Sequence, residues 1–118
     1  MEKITCICIM RELFSALSSL ENNLTEAHGV SLNEAMILCA LGNEHVTAST
    51  IAEQTGMLPS HTSKVIAVLE KNGLIKRQLG KSDKRRMYFS LTTKGRECLE
   101  RMKSYEFDIP DLLKPLFK

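Results

Sequence analysis

No stretch of this chain approaches the roughly 20 consecutive apolar residues that a membrane-spanning helix needs. A short apolar patch lies near the start (Ile4, Cys6, Ile7, Cys8, Ile9), but no small-residue cleavage site comes after it. Secretion is therefore not expected, and the cytoplasm is the expected location. Paired cysteine spacing is missing as well. Cys6, Cys8, Cys39 and Cys98 do not make a zinc-ligand pattern, and in a reducing compartment most are expected to serve as small apolar core residues. A Gly-rich phosphate loop, a carboxylate pair at useful spacing and a nucleophile elbow are also absent, so no enzyme, metal site or cofactor is expected. His28 and His45 fall at expected helix ends, without a metal role.

What is present is one domain's worth of globular chain. Its 118 residues are 43% hydrophobic and 25% charged, neither disordered nor fibrous in composition. The net charge of +2 is small, but it is unevenly placed. Residues 61–90 hold eight cations (Lys64, Lys71, Lys76, Arg77, Lys81, Lys84, Arg85, Arg86) against Glu70 and Asp83. Residues 1–60 carry Lys3 and Arg11 against seven glutamates. A basic block on an otherwise acidic chain is the electrostatic footprint of a nucleic-acid reader, although a merely solvated charged face has the same composition.

Apolar periodicity organises the rest. Met10, Leu13, Leu17, Leu20 and Leu24 recur in heptad fashion on one helix, too briefly for a free coiled coil. The stripe must pack on its own domain or on a partner subunit, and the helix should end near His28-Gly29. Ser31 and Glu34 have capping-box spacing at the head of a second helix running to Leu41. That helix is apolar nearly all round (Ala35, Met36, Ile37, Leu38, Cys39, Ala40) and is expected to be buried. Thr47 caps a third helix to about Thr55, and Gly56 breaks it.

Pro59 fits the first turn of a fourth helix, where its missing N–H costs nothing. This helix points Thr62, Val65, Ile66 and Leu69 inward and Ser60, His61, Ser63, Lys64 and Ala67 outward, until Asn72-Gly73 stops it. Leu74–Leu79 and Met87–Leu91 are alternating runs around a Gly-Lys-Ser-Asp-Lys-Arg-Arg turn, which reads as a β-hairpin with a basic tip. Thr92 caps a fifth helix through Met102, and Pro110 and Pro115 limit the remaining residues to short pieces.

Two short helices joined through Gly56, the second with small polar and basic residues outward, make a helix-turn-helix. Its second helix suits a major groove about 12 Å wide, and its N-terminal side chains meet base edges first. The basic hairpin then supplies a wing for adjoining phosphates or the minor groove. The expected fold class is mainly α with a small β-hairpin wing: a winged helix-turn-helix with terminal helices for dimerisation. Within one domain over 1–118, residues 1–30 form the N-terminal dimerisation helix, 31–92 the winged core and 93–118 a C-terminal helical segment.

The run Ser60-x-x-Ser63-Lys64-Val65-x-x-x-Leu69-Glu70-Lys71-Asn72-Gly73-Leu74-Ile75-x-Arg77, then Asp83-x-Arg85, then Leu91-Thr92-x-x-Gly95, resembles the multiple-antibiotic-resistance regulator (MarR) family. The resemblance covers roughly Ser31 to Leu99. It implies a dimeric winged helix that binds double-stranded DNA, in which Arg85 reaches the minor groove and Asp83 pairs with and positions it. A guanidinium suits a narrow, electronegative groove, while Asp83 also suits a turn on its own account. The DNA-contacting set is thus Pro59, Ser60, His61, Ser63, Lys64, Arg77, Lys81, Lys84, Arg85 and Arg86.

Two departures from the family pattern carry expectations of their own. Leu58 stands where a capping serine or threonine is usual, so the fourth helix is expected to start loosely or one residue later. Only 23 residues come after Gly95, which implies a smaller or differently arranged dimer interface. The expected function is a transcription regulator, most simply a repressor relieved by a small-molecule or oxidative signal. Cys6 and Cys8 are the redox candidates, by likeness to the family's hydroperoxide-sensing branch. The rival reading is a winged helix used as a protein-interaction module without DNA binding.

Overall fold

The computed structural model describes residues 4–82, 85–105 and 111–116, with residues 4–6 as backbone alone. Its elements are α1 (Ile4–His28), α2 (Leu32–Leu41), α3 (Ala48–Thr55), α4 (Pro59–Lys71), β1 (Ile75–Leu79), β2 (Met87–Leu91), α5 (Thr93–Ser104) and a short 3₁₀-helix (Asp111–Leu116). They group into two compact units. One holds α1 and the 3₁₀-helix, and the other runs from Leu32 to Ser104.

In the first unit, 25 residues of α1 extend for about 38 Å at 1.5 Å per residue. The helix packs on the 3₁₀-helix, and the His28 and Tyr105 rings meet edge to face at 5.0 Å. Leu24, Val30 and Leu113 are buried. The upper part of the apolar stripe is not. Met10, Leu13 and Leu17 are exposed, and so on the same helix are Ile7 (66%) and Phe14 (73%).

The second unit is built around α2. Ile37, Leu38 and Leu41 are fully shielded from solvent, as are Ile51 of α3, Leu69 of α4 and Leu91 of β2. The expectation that α2 is buried all round needs correction. Cys39 is exposed, and Met36 and Ala40 are half-buried, so one face of the helix opens to the surface. The cysteine expectation changes with it: Cys98 is a core residue, but Cys8 and Cys39 are exposed. The Cys6 side chain lies outside the described residues.

The hairpin pairs Ile75 with Leu91 through Leu79 with Met87, antiparallel. A third segment joins it that the sequence does not announce. Val46 exchanges both backbone hydrogen bonds with Phe89, at 3.0 and 2.7 Å, so the residue just before the α3 cap tethers that helix to the hairpin.

Candidate nucleic-acid interface

The helix-turn-helix geometry begins with caps. The Thr47 hydroxyl accepts from the Thr50 N–H at 3.3 Å, and Gly56 closes α3 in the left-handed region at φ 76°. Leu58 sits at the N-cap of α4 without a side-chain hydrogen bond, yet the helix begins at Pro59 without delay. Thr62 reinforces that start from within. It is fully buried, and its hydroxyl donates to the Leu58 carbonyl at 2.9 Å. A buried hydroxyl left unpaired would cost about 1–3 kcal/mol, so this bond is what lets a threonine occupy the core face.

The outward face of α4 carries Pro59, Ser60, His61, Ser63 and Lys64, all exposed as the periodicity required. Ile66 and Leu69 hold the opposite face in the core. His61 has a partner that sequence reasoning missed: its Nε2 lies 2.9 Å from the Asn33 amide nitrogen. The two are 28 residues apart, so no local pattern could have revealed the pair.

The exit from α4 is a Schellman turn. Gly73 has φ 76°, its N–H bonds the Glu70 carbonyl at 3.0 Å, and the Leu74 N–H bonds the Leu69 carbonyl at 2.9 Å. Here the glycine is needed, because a side chain disfavours that left-handed conformation. Leu74 and Ile75 are then buried, which launches β1 from the core.

The root of the hairpin is clasped by Thr92. Its N–H donates to the Leu74 carbonyl at 3.1 Å, its hydroxyl donates to the Gly73 carbonyl at 2.6 Å, and the same oxygen accepts from the Gly95 N–H at 3.0 Å. A Cβ on Gly95 would collide with the Leu74 carbonyl oxygen. The Leu-Thr-x-x-Gly spacing thus has a mechanical reason: the start of α5 presses directly on the turn that ends α4.

Arg77 braces this root. Its Nε donates to Glu70 Oε2 at 2.6 Å, its Nη2 pairs with Oε1 of the same carboxylate, and its guanidinium lies over the Phe89 ring at 5.4 Å. The hydrogen bonds from Arg77 hold the Glu70 carboxyl below its ordinary range. A guanidinium committed in this way to carboxylate and ring works first as a strut between α4 and β1.

At the tip, the Gly80 N–H bonds the Arg86 carbonyl at 2.9 Å, and Lys81, Arg85 and Arg86 are exposed. Asp83 and Lys84 lie outside the described residues. The structure therefore brings the outward face of α4 and the described wing cations together in one compact unit, with Arg77 between them. Cys8 lies on α1. No cluster of metal-ligating side chains occurs among the described residues, and no described helix is long and apolar enough to cross a membrane.

The open face of α2 lines a groove of about 440 Å³ with the end of α3, formed by Leu32, Ala35, Met36 and Cys39 with Gln54 and Thr55. Neighbouring atoms shield the Cys39 sulfur enough to push its thiol pKa up, against the opposing charge of Lys103.

Known proteins resemble the chain in both sequence and fold. The sequence pattern of the MarR family matches residues 28–86. The transcriptional repressor MprA of Escherichia coli is 34% identical over 91 residues, which are 77% of this chain and 42% of MprA. The chain thus spans less than half the length of that relative. In fold, it superposes on the transcriptional regulator BldR from Sulfolobus solfataricus with a TM-score of 0.73 at 23% identity, covering 98% of this chain and 95% of BldR. It also superposes on MepR of S. aureus in its DNA complex, with a TM-score of 0.66 at 22% identity over 81% and 80% of the two chains. A mostly helical chain with a single antiparallel hairpin, arranged as in these regulators, is a winged helix. The family match and the MprA identity, on top of that fold, make this chain a member of the MarR family.

Proposed function

We propose that this protein is a sequence-specific DNA-binding transcription regulator that acts as a homodimer, most simply as a repressor. One observation carries the reading: the polar and basic outward face of α4 and the exposed cations of the hairpin tip belong to the same compact unit. Pro59, Ser60, His61, Ser63 and Lys64 are positioned for the major groove. Lys81, Lys84, Arg85 and Arg86 serve phosphates or the minor groove, with Asp83 orienting Arg85. Arg77 contributes to DNA chiefly through its brace. The complex of MepR with DNA, a protein of the same fold, supports the assignment.

The exposed upper stripe of α1 supports the dimer, since contiguous apolar surface of this kind marks an interface. The groove between α2 and α3 supports a small-molecule signal, being of ligand size and mostly apolar. An oxidative signal has less behind it. The Cys39 thiol is pushed away from the reactive thiolate, and Cys8 has nothing beyond its exposure to recommend it.

A mobility shift on DNA across a salt series tests the reading. Arg85→Ala should weaken specific and random DNA alike and flatten the log-affinity against log-salt slope by about one unit. Lys64→Ala should cost about 1–3 kcal/mol on the preferred site and much less on random DNA. Asp83→Ala removes a negative charge yet should lower affinity if that residue orients Arg85. Salt-insensitive or absent binding would favour a protein-interaction module instead.

A further inference from the structure

We propose that Asn33 is a positioning residue for base selection: it fixes His61 in the tautomer protonated on Nδ1, so that the ring offers DNA a donor and not an acceptor. The proposal rests on the DNA-binding reading above and adds to it the sense in which one side chain reads.

The argument starts from the donor inventory. An amide nitrogen only donates, so the Asn33 Nδ2 facing His61 Nε2 at 2.9 Å requires that ring nitrogen to accept. In a neutral imidazole the remaining nitrogen then carries the proton. An unrestrained histidine exchanges between tautomers and can present either sense to a base. Here the choice is made before DNA arrives.

The hold on His61 comes from the core. Asn33 stands in the first turn of α2 and is half-buried, whereas His61 is exposed on α4. The two helices pack together, and both place fully buried side chains in the core, Ile37 and Leu38 on one and Leu69 on the other. The asparagine is therefore a fixed post and the histidine the moving part it restrains.

The other side chains on this face do not discriminate in the same way. The hydroxyls of Ser60 and Ser63 rotate to donate or accept, and Lys64 is a point charge with rotatable donors. A ring with its proton on Nδ1 can match purine N7, guanine O6 or thymine O4, and mismatches the amino groups of adenine and cytosine. Asn33 thus turns an ambivalent side chain into a one-sense reader without touching DNA itself.

Two measurements test this on the whole 118-residue chain. In the DNA-free protein at pH 8, ¹⁵N shifts of the His61 ring should show the proton on Nδ1. They should become averaged in Asn33→Ala, and move toward Nε2 protonation in Asn33→Asp, whose carboxylate can only accept. In selection from random duplex DNA, the wild type should prefer an acceptor-bearing base at one position by about threefold to tenfold, the range for one neutral hydrogen bond. Asn33→Ala and His61→Ala should each erase that preference, their combination should do no more, and the salt slope should stay unchanged. A proton on Nε2 in the wild type, or a preference that survives Asn33→Ala, overturns the proposal. A wild type that selects no sequence at all removes the DNA reading and this proposal with it; the ring signature then shows whether the Asn33 restraint itself was present.

Discussion

Helices α1 and α2 are both rich in apolar residues, and the fold uses them in opposite ways. In α2, Ile37, Leu38 and Leu41 vanish into a core closed by α3, α4 and β2. In α1, the stripe residues Met10, Leu13 and Leu17 remain at the surface with Ile7 and Phe14, and the helix is secured at its C-terminal end by Leu24 and the His28–Tyr105 contact. An apolar pattern says that a face must be covered, and it does not say by what. Helix α2 stabilises a fold, and the exposed face of α1 is the surface that the proposed dimer would cover.

Substitutions that act on the core around α2 and spare α1, or the reverse, sharpen this contrast. The largest effect is expected from Leu38→Ala, which should destabilise the protein by about 2–5 kcal/mol in denaturant melts, because a fully enclosed side chain leaves a cavity. Next comes Gly95→Ala. Pushing α5 off the Leu74 carbonyl should cost about 1–3 kcal/mol, and the Thr92 and Gly95 amides should exchange faster with solvent.

Met10→Lys with Phe14→Lys should do the reverse of Leu38→Ala. Light scattering should report a halved mass, while circular dichroism keeps the helical signal, since exposed positions outside a core usually change stability by about 0.5 kcal/mol or less. A dimer that persists in this variant would break the comparison, leaving α1 as surface without a partner.

The smallest effect belongs to Glu70→Gln, read as stability against pH. Because Arg77 lowers the folded-state pKa of Glu70, the wild type binds fewer protons folded than unfolded in the acid range. The advantage is full above the ordinary carboxylate value of about 4.3 and is lost as pH falls through the lowered folded value. The two proteins should therefore differ at neutral pH and converge in acid. Convergence at neutral pH as well would show that the strut between α4 and β1 contributes nothing.

Legibility in the sequence tracked the range of the interactions. The α4 helix could be read closely, because Pro59, the inward run Thr62, Ile66 and Leu69, and the Asn72-Gly73 stop are all local signals. The hairpin is legible from two short runs around a seven-residue turn, but its register is not, since burial does not alternate along either strand. Val46 was invisible because one bridging residue has no period. The second role of Arg77 was hidden for a related reason: a cation in a basic block reads as a ligand for phosphate until the chain brings Glu70 back against it. The exposure of Cys39 is not legible, because composition gives α2 no outward face and the packing of α3, α4, α5 and β2 around it decides which side stays open.

The Thr92 clasp has a consequence for how load travels. A wing is a cantilever, and a cantilever transmits force according to how its root is fixed. Here both legs are fixed at one point, since Thr92 on the returning leg bonds Gly73 and Leu74 at the foot of the outgoing one. On the proposed reading, a pull on Arg85 or Arg86 from a phosphate is resisted at that point instead of splaying the legs. It arrives as torque on the last turn of α4 and the first turn of α5 together, through the Gly95 amide. On the proposed DNA-binding reading, contact made at the tip and the seating of α4 are therefore coupled through this one root.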